Sequence, residues 1–234
     1  MNTYLSPEKM YSIAGETFYF QLQAVSCSGH HRRSGGDIFT ILMVPKELQN
    51  DGKTIVPITP FRGIVMDNGD GTYNCSIQIP IAGVYNFNIY QLIPGGLLGS
   101  YYDDSYFSSL EKIRVDSVLN FTWSFERITS FGIDFVSIRW EGFLKSSFSE
   151  MYRFIGQFDD RVRIWLDHTL IIDTWNRNDI LTSSFYFLNS NLFYAIVIEY
   201  IELEGNAMAK LIWESDNTPL EIIPSSAYYY RVRF

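Results

Sequence analysis

The sequence predicts an all-β protein made of two β-sandwich domains in tandem. Three observations carry this. Val, Ile, Tyr and Phe recur in short runs of period two, cut by Gly, Asn and Asp turns. No segment longer than about ten residues holds an apolar stripe at helical spacing. Composition also changes along the chain: all five Trp lie at or after Trp123, whereas six of eight Pro and twelve of sixteen Gly lie at or before Gly99. A β-rich chain whose turn chemistry and aromatic content change part-way reads as two cores rather than one. Ser108-Ser109 and the segment 111–120 mark the expected junction, giving domains 1–115 and 116–234.

The elements follow in order. In ETFYFQLQAVSC, Phe18, Phe20, Leu22 and Ala24 share one strand face and Cys27 falls out of phase. GHHRRSGG, from Gly29 to Gly36, is a loop. FRGIVM and YNCSIQI flank DNGDGTY, whose Asn-Gly and Asp-Gly pairs suit the positive φ of a hairpin turn. An EF-hand reading of that turn fails, because Gly71 and Gln78 stand where ligands are required. Tyr73, Cys75, Ile77 and Ile79 form the inward set of the second strand. Further on, FDDRVRIWLDHTLIIDTW, from Phe158 to Trp175, sets Val162, Ile164 and Leu166 on one face, with Arg161, Arg163 and Asp167 on the other. Asp167-His168-Thr169 turns the chain, and Leu170 to Ile172 returns as the partner strand. The chain ends in AYYYRVRF, alternating aromatic and basic residues without a Pro or Lys gatekeeper.

Composition bounds the function. Net charge is −8, divided as −3 up to Asp116 and −5 beyond it, with no basic block in either part. Phosphate neutralisation dominates nucleic-acid affinity, so nucleic acid is not an expected partner. The longest apolar run, Leu192 to Ile198, is far too short for a transmembrane segment. MNTYLSPEKMYS has neither the basic start nor the apolar core of a signal peptide, which fits a cytosolic protein or a processed piece of a longer chain. Two cysteines do not make a disulfide scaffold, and the strand phase leaves Cys27 and Cys75 as free thiols unless a bulge corrects it. Asn74-Cys75-Ser76 and Asn120-Phe121-Thr122 satisfy the glycosylation rule, a common chance motif that would matter only in a secreted chain.

Catalysis finds no footing. His30 and His31 lie in the Gly-rich loop and His168 in a hairpin turn. HExxH, GxSxG, P-loop and GxGxxG patterns are all missing, and no acid pair is set for glycoside hydrolysis. The expectation is a non-enzymatic protein.

Two family resemblances refine this reading. AGETFYF, GHHRRSGGDIF, VMDNGDGTYNCSI, IAGVYNF and LLGS occur in the order of a filamin-type immunoglobulin-like repeat, over roughly residues 6 to 115. Such a repeat implies a spacer whose sheet edge accepts extended peptides. LIPGGLLGSYYDDSY departs somewhat from its usual ending. In the second half, IRWEGFL, MYRFIGQFDDRVRIWLDHTLIIDTW, FYAIVIEYIELEGNAMAKLIWE and IIPSSAYY resemble the protective-antigen-type β-sandwich, the PA-fourteen family. Members bind glycans or serve as building blocks in toxins, adhesins, glycosidases and surface proteins.

That second resemblance implies a site. Asp159 and Asp160 match adjacent aspartates that hold calcium in yeast adhesins of the family, and Ca²⁺ is the one cofactor expected; a purely structural turn is the alternative. Trp175, Asn178 and Asp179 join them as candidate glycan contacts, with core packing the competing role for Trp140, Trp165 and Trp175. Tyr228, Tyr230 and Phe234 form a candidate interface with further copies or domains of one assembly. The expected role is a structural or adhesive module of an extracellular or cell-surface assembly, extending to filaments and calcium-assisted glycan binding. The alternatives are a ligand-free subunit of a ciliary or cytoplasmic assembly and a glycan-binding module detached from a glycosidase.

Overall fold

The computed structural model describes residues 11–26, 28–45, 60–175 and 181–231, in which every regular element except one 3₁₀ turn is a strand. The chain divides into two compact units between Ile93 and Pro94.

The first unit holds β1 (Thr17–Gln23), β2 (Ile38–Pro45), β3 (Phe61–Asp67), β4 (Thr72–Gln78) and β5 (Tyr85–Pro94). They pair antiparallel in the order β1-β4-β3-β2-β5. The period-two pattern sets the register. Leu22 faces Tyr73 and Phe20 faces Cys75, so the apolar sides of β1 and β4 coincide. Leu22, Ala24, Ile41, Tyr73, Cys75 and Ile77 are buried, with Phe18 and Phe20 packed against them. Burial pushes the Cys75 thiol up to about 11, and it is a free thiol; Cys27 lies outside the described residues.

The Asp67–Tyr73 turn is structural, as its chemistry implies. Gly69 and Gly71 take φ of +81° and +91°. Asp67 accepts the Gly69 amide at 2.8 Å and the Gly36 amide at 2.6 Å, tying the turn to the Gly-rich loop.

The second unit comprises β6 (Leu97–Tyr102), β7 (Leu110–Asp116), β8 (Asn120–Ser124), β9 (Val136–Leu144), β10 (Glu150–Asp159), β11 (Arg161–Leu166), β12 (Thr169–Asp173), β13 (Leu181–Thr182), β14 (Tyr186–Leu188), β15 (Tyr194–Glu202), β16 (Ala207–Glu214), β17 (Glu221–Ile222) and β18 (Tyr228–Arg231). One sheet runs β7-β6-β9-β15-β11-β12, with β18 also pairing β9. The other centres on the β10–β16 pair, with β13 and β14 on β10 and with β8 and β17 on β16. Their inner faces bury Trp140, Phe154, Ile164, Ile198, Leu211 and Tyr228, the continuous core of a sandwich.

The junction differs from the expected 115/116. Residues 97–116, read from sequence as the end of the first domain, form β6 and β7, and β6 pairs β9 with Tyr101 opposite Ile138. Leu97 and Tyr101 are wholly buried in the second core. The Gly95-Gly96 turn that introduces β6 extended the Gly- and Pro-rich signal past the true division.

Candidate functional site

The Asp pair sits where two strands of opposite sheets join. Asp159 is the last residue of β10, opposite Met208 of β16, and Arg161 opens β11 opposite Ile201 of β15. Asp160 is therefore the single residue by which the chain crosses between sheets, and the Asp159-Asp160 peptide is cis. Asp160 Oδ2 accepts the Leu203 amide at 2.7 Å and the Glu204 amide at 3.3 Å. The next strand connection meets the same corner: Asp134 accepts the Gly205 amide at 3.2 Å and the Phe135 amide donates to the Leu203 carbonyl at 3.2 Å. Gly205 makes that turn with φ of +105°.

A third carboxyl lies beneath the pair. Glu202 is wholly buried at the end of β15. The Tyr200 hydroxyl donates to Glu202 Oε2 at 2.6 Å and also reaches the Asp159 carbonyl oxygen, so one proton faces two acceptors. Glu202 Oε1 has no partner. Burial drives the Glu202 carboxyl up to about 8, against the Tyr200 bond, and the fields of Asp160, Asp159 and Asp134 add to the rise. Asp159 is raised by burial first and then by the charge of Asp160. Among the described residues none of these four acids is ion-paired.

Two hard carboxylates at one corner, with a buried carboxylate oxygen left unpartnered behind them, are donor chemistry that suits a divalent cation such as Ca²⁺. They are not a closed cage: among the described residues no three His, Cys, Asp or Glu side chains are grouped to hold a metal ion.

Other expected site residues fare differently. Trp175 is half-buried at the end of the β12 hairpin, where the Arg163 guanidinium lies 4.2 Å from the centre of its ring. Asn178, Asp179 and Phe234 lie outside the described residues. Tyr228, expected at an interface, is instead part of its own unit's core, because the 3₁₀ turn Ser225–Ala227 directs β18 back onto β9, with Tyr228 opposite Leu144. Tyr230 is half-buried. Trp140 is a core residue, as the competing reading held. A groove of about 180 Å³ bounded by Phe148, Trp213, Asn217 and Glu221 lies towards the opposite end of β10 from the Asp pair.

Sequence reasoning passed over Tyr200, Glu202 and Asp134. A signal for Glu202 was present. In YAIVIEYIE the core positions Ile196, Ile198 and Tyr200 alternate, and Glu202 is next in the same phase. An acid in step with a core stripe is an anomaly that calls for a partner.

Comparison with known proteins places this architecture. The family model described as the PA14 domain matches residues 94–227, the whole second unit up to its final strand. The chain is 38% identical over 136 residues to the anti-sigma-I factor RsgI3 of Acetivibrio thermocellus, covering 57% of this chain. It spans about a fifth of that curated relative's length, 21%. An anti-sigma factor domain-containing protein from Clostridium clariflavum shares the fold, with 16% identity, a TM-score of 0.56 and coverage of 92% of this chain and 84% of that one. The Epithelial Adhesin 9 A domain from Candida glabrata, solved in complex with Galβ1-4GlcNAc, matches 60% of this chain and 90% of its own. Its identity is 11% and its TM-score 0.50.

Proposed function

The chain belongs to the PA14 domain family, and from that premise we propose that it is a glycan-recognition module whose contact end is the Asp159-Asp160 turn. The PA14 domain is a non-catalytic module, so the reading concerns binding alone. Ca²⁺ held at Asp159 and Asp160 would supply a hard centre able to take sugar hydroxyls into its oxygen shell. Asp160 is oriented by the amides of Leu203 and Glu204, so the carboxylate is set before any ligand arrives. Trp175, Asn178 and Asp179 are the proposed flanking contacts.

The observation that carries this reading is an unpaired carboxylate pair at the crossing between sheets, with an unpartnered buried oxygen behind it. The likeness to an anti-sigma-I factor favours a place in a regulatory protein over cell adhesion. For the first unit we propose the filamin-type immunoglobulin-like spacer expected over roughly residues 6 to 115, cut back to the residues up to Ile93 because LLGS lies in β6 of the second unit. The test is calorimetric titration with Ca²⁺, then a glycan array with Ca²⁺ or EDTA, on the parent chain and Asp160→Ala. Calcium-dependent glycan binding that Asp160→Ala abolishes is the expected result. A folded parent that takes up neither calcium nor any glycan overturns the reading.

A further inference from the structure

The connection between β8 and β9, residues 125–135, leaves three phenylalanines in solvent. Phe125 is 71%, Phe131 76% and Phe135 53% exposed. The aromatics just before them behave differently: Phe121 and Trp123 stack 4.8 Å apart against the core. Single exposed apolar residues are ordinary, but three large rings on one anchored loop mark a contact surface. The anchoring is specific. Ile128 and Thr129 are buried, the Thr129 hydroxyl donates to Asp103 at 2.7 Å, and the Ser130 amide donates to Glu111 at 3.1 Å. Phe135 takes φ of +55°, a conformation that a bulky residue keeps only where its surroundings impose it.

The loop ends at the Asp159-Asp160 corner. The Phe135 amide donates to the Leu203 carbonyl at 3.2 Å, and Asp160 accepts the Leu203 amide at 2.7 Å. Because β9 and β11 flank β15, Phe135 and Asp160 stand on either side of Leu203, about 10 Å apart by strand spacing. Phe125 comes to the same end from the other sheet. It follows Ser124, which lies opposite Ala207, four residues after Leu203. Ring faces and carboxylate oxygens are therefore gathered at one end of the sandwich. A sugar uses both: the C–H face of its ring rests on a π face, and its hydroxyls donate to carboxylates. An anionic lipid surface fits poorly, since Asp134, Asp159, Asp160 and Glu204 outnumber Arg127 and Arg161 here.

We propose that Phe125, Phe131 and Phe135 are the ring-stacking contacts of the sugar site, and that its ligand is a neutral glycan presenting the apolar face of a pyranose. The proposal rests on the glycan reading of this end of the sandwich and requires no metal ion. Aromatic rings give large contact area at little conformational cost, and the tethers of the loop set them before the ligand arrives.

The experiment uses the full chain as parent, Phe125→Ala, Phe131→Ala, Phe135→Leu and Phe135→Tyr. The parent is screened on an array of neutral and acidic glycans in buffer containing Ca²⁺. Its strongest ligand is then titrated into every chain by calorimetry, beside a thermal melt of each. The expected ligand is neutral. Phe125→Ala, Phe131→Ala and Phe135→Leu each bind it about 10-fold more weakly, the cost of truncating an aromatic anchor, and Phe135→Tyr binds as the parent does. Leu keeps apolar bulk at the same backbone conformation, so its loss isolates the ring face. All four melt close to the parent, because the rings are exposed. Parental affinity in the Ala and Leu variants, with the glycan still bound, overturns this inference and leaves the glycan reading standing. A preference for acidic glycans overturns the ligand class. Co-sedimentation of the parent with phosphatidylcholine–phosphatidylserine vesicles, lost in Phe131→Ala, assigns the rings to a membrane surface and overturns it as well. A folded parent that binds no glycan removes the glycan reading itself and this inference with it.

Discussion

The indole N–H of Trp140 donates to the buried carboxylate of Asp116 at 2.7 Å, joining the centre of β9 to the end of β7. The same Asp116 oxygen accepts the Tyr101 hydroxyl at 2.7 Å, and Arg114 reaches the other oxygen at 2.7 Å. Arg114 also lies 4.5 Å from the centre of the Tyr101 ring. One carboxylate thus satisfies two buried aromatic donors and is itself balanced by a guanidinium. Asp116→Ala leaves both buried donors without this acceptor and Arg114 with only the Tyr101 hydroxyl, so a loss of about 3–5 kcal/mol in unfolding free energy is expected. Asp116→Asn keeps an acceptor and costs less. Urea unfolding followed by Trp fluorescence measures both.

Gly71 supplies a test confined to the first unit. Its φ is +91°, and a Cβ there would sit 2.1 Å from the carbonyl oxygen of Arg32, a backbone atom that cannot swing aside. Gly71→Ala is expected to destabilise the first unit by about 1–3 kcal/mol. All five Trp lie in the second unit, so Trp fluorescence reports that unit alone. The expected outcome is an early transition by far-UV circular dichroism with an unchanged fluorescence midpoint. A fluorescence midpoint that falls in parallel would show that the two units unfold as one.

The strands were the most legible part of the sequence because a half-buried strand writes its burial as a period of two. Phe18 to Ala24, Tyr73 to Ile77 and Val162 to Leu166 all face inward as their spacing implies. Turn chemistry was equally local, as Gly69 and Gly71 show. The junction was hidden because β6 belongs to a pairing with β9 about forty residues ahead, and nothing in LLGSYY distinguishes one partner from another. Tyr228 was misplaced for a related reason. An aromatic strand looks like an unpaired edge until its partner, here β9, is known. The Asp pair was legible as two neighbouring carboxylates at the entrance to a hairpin, and its match to a calcium pair only through resemblance. Its supporting groups, Tyr200 and Glu202, come from a strand of the other sheet, and sequence spacing does not encode that approach.

Removing the chain end follows from the position of Tyr228. Truncation after Ser226 deletes β18 and takes a wholly buried tyrosine out of the second core. Loss of a buried aromatic costs about 3–5 kcal/mol, and the β9 edge beside Phe143 and Leu144 loses its partner. The truncated chain is expected to melt well below the parent at equal concentration. Light scattering alongside the melts separates this from an assembly effect. If truncation after Ser226 changes molecular mass but not stability, the strand serves other copies and not its own core.

The buried carboxyl also sets a pH dependence in the absence of calcium. Burial raises the Glu202 carboxyl from its ordinary 4.5 to about 8 in the folded chain. Between those values the folded state holds a proton that the unfolded state has released, so stability falls as pH rises through that window and levels off above about 8. The slope from one such proton is at most about 1.4 kcal/mol per pH unit. The groups around it act in the same sense: Asp159, Asp160 and Asp134 are acids, and Tyr200, itself raised by burial, brings no positive charge. The carboxyls of Asp104, Asp70, Glu111 and Glu150 are lowered, so their contributions are complete above about 4.5 and add no slope in the window. Urea unfolding in EDTA between pH 5.5 and 8.5 should therefore show the parent losing stability with rising pH, and Glu202→Gln losing markedly less. Parallel profiles for the two chains would mean that Glu202 is ionised in the folded state throughout, and the slope would belong to another group.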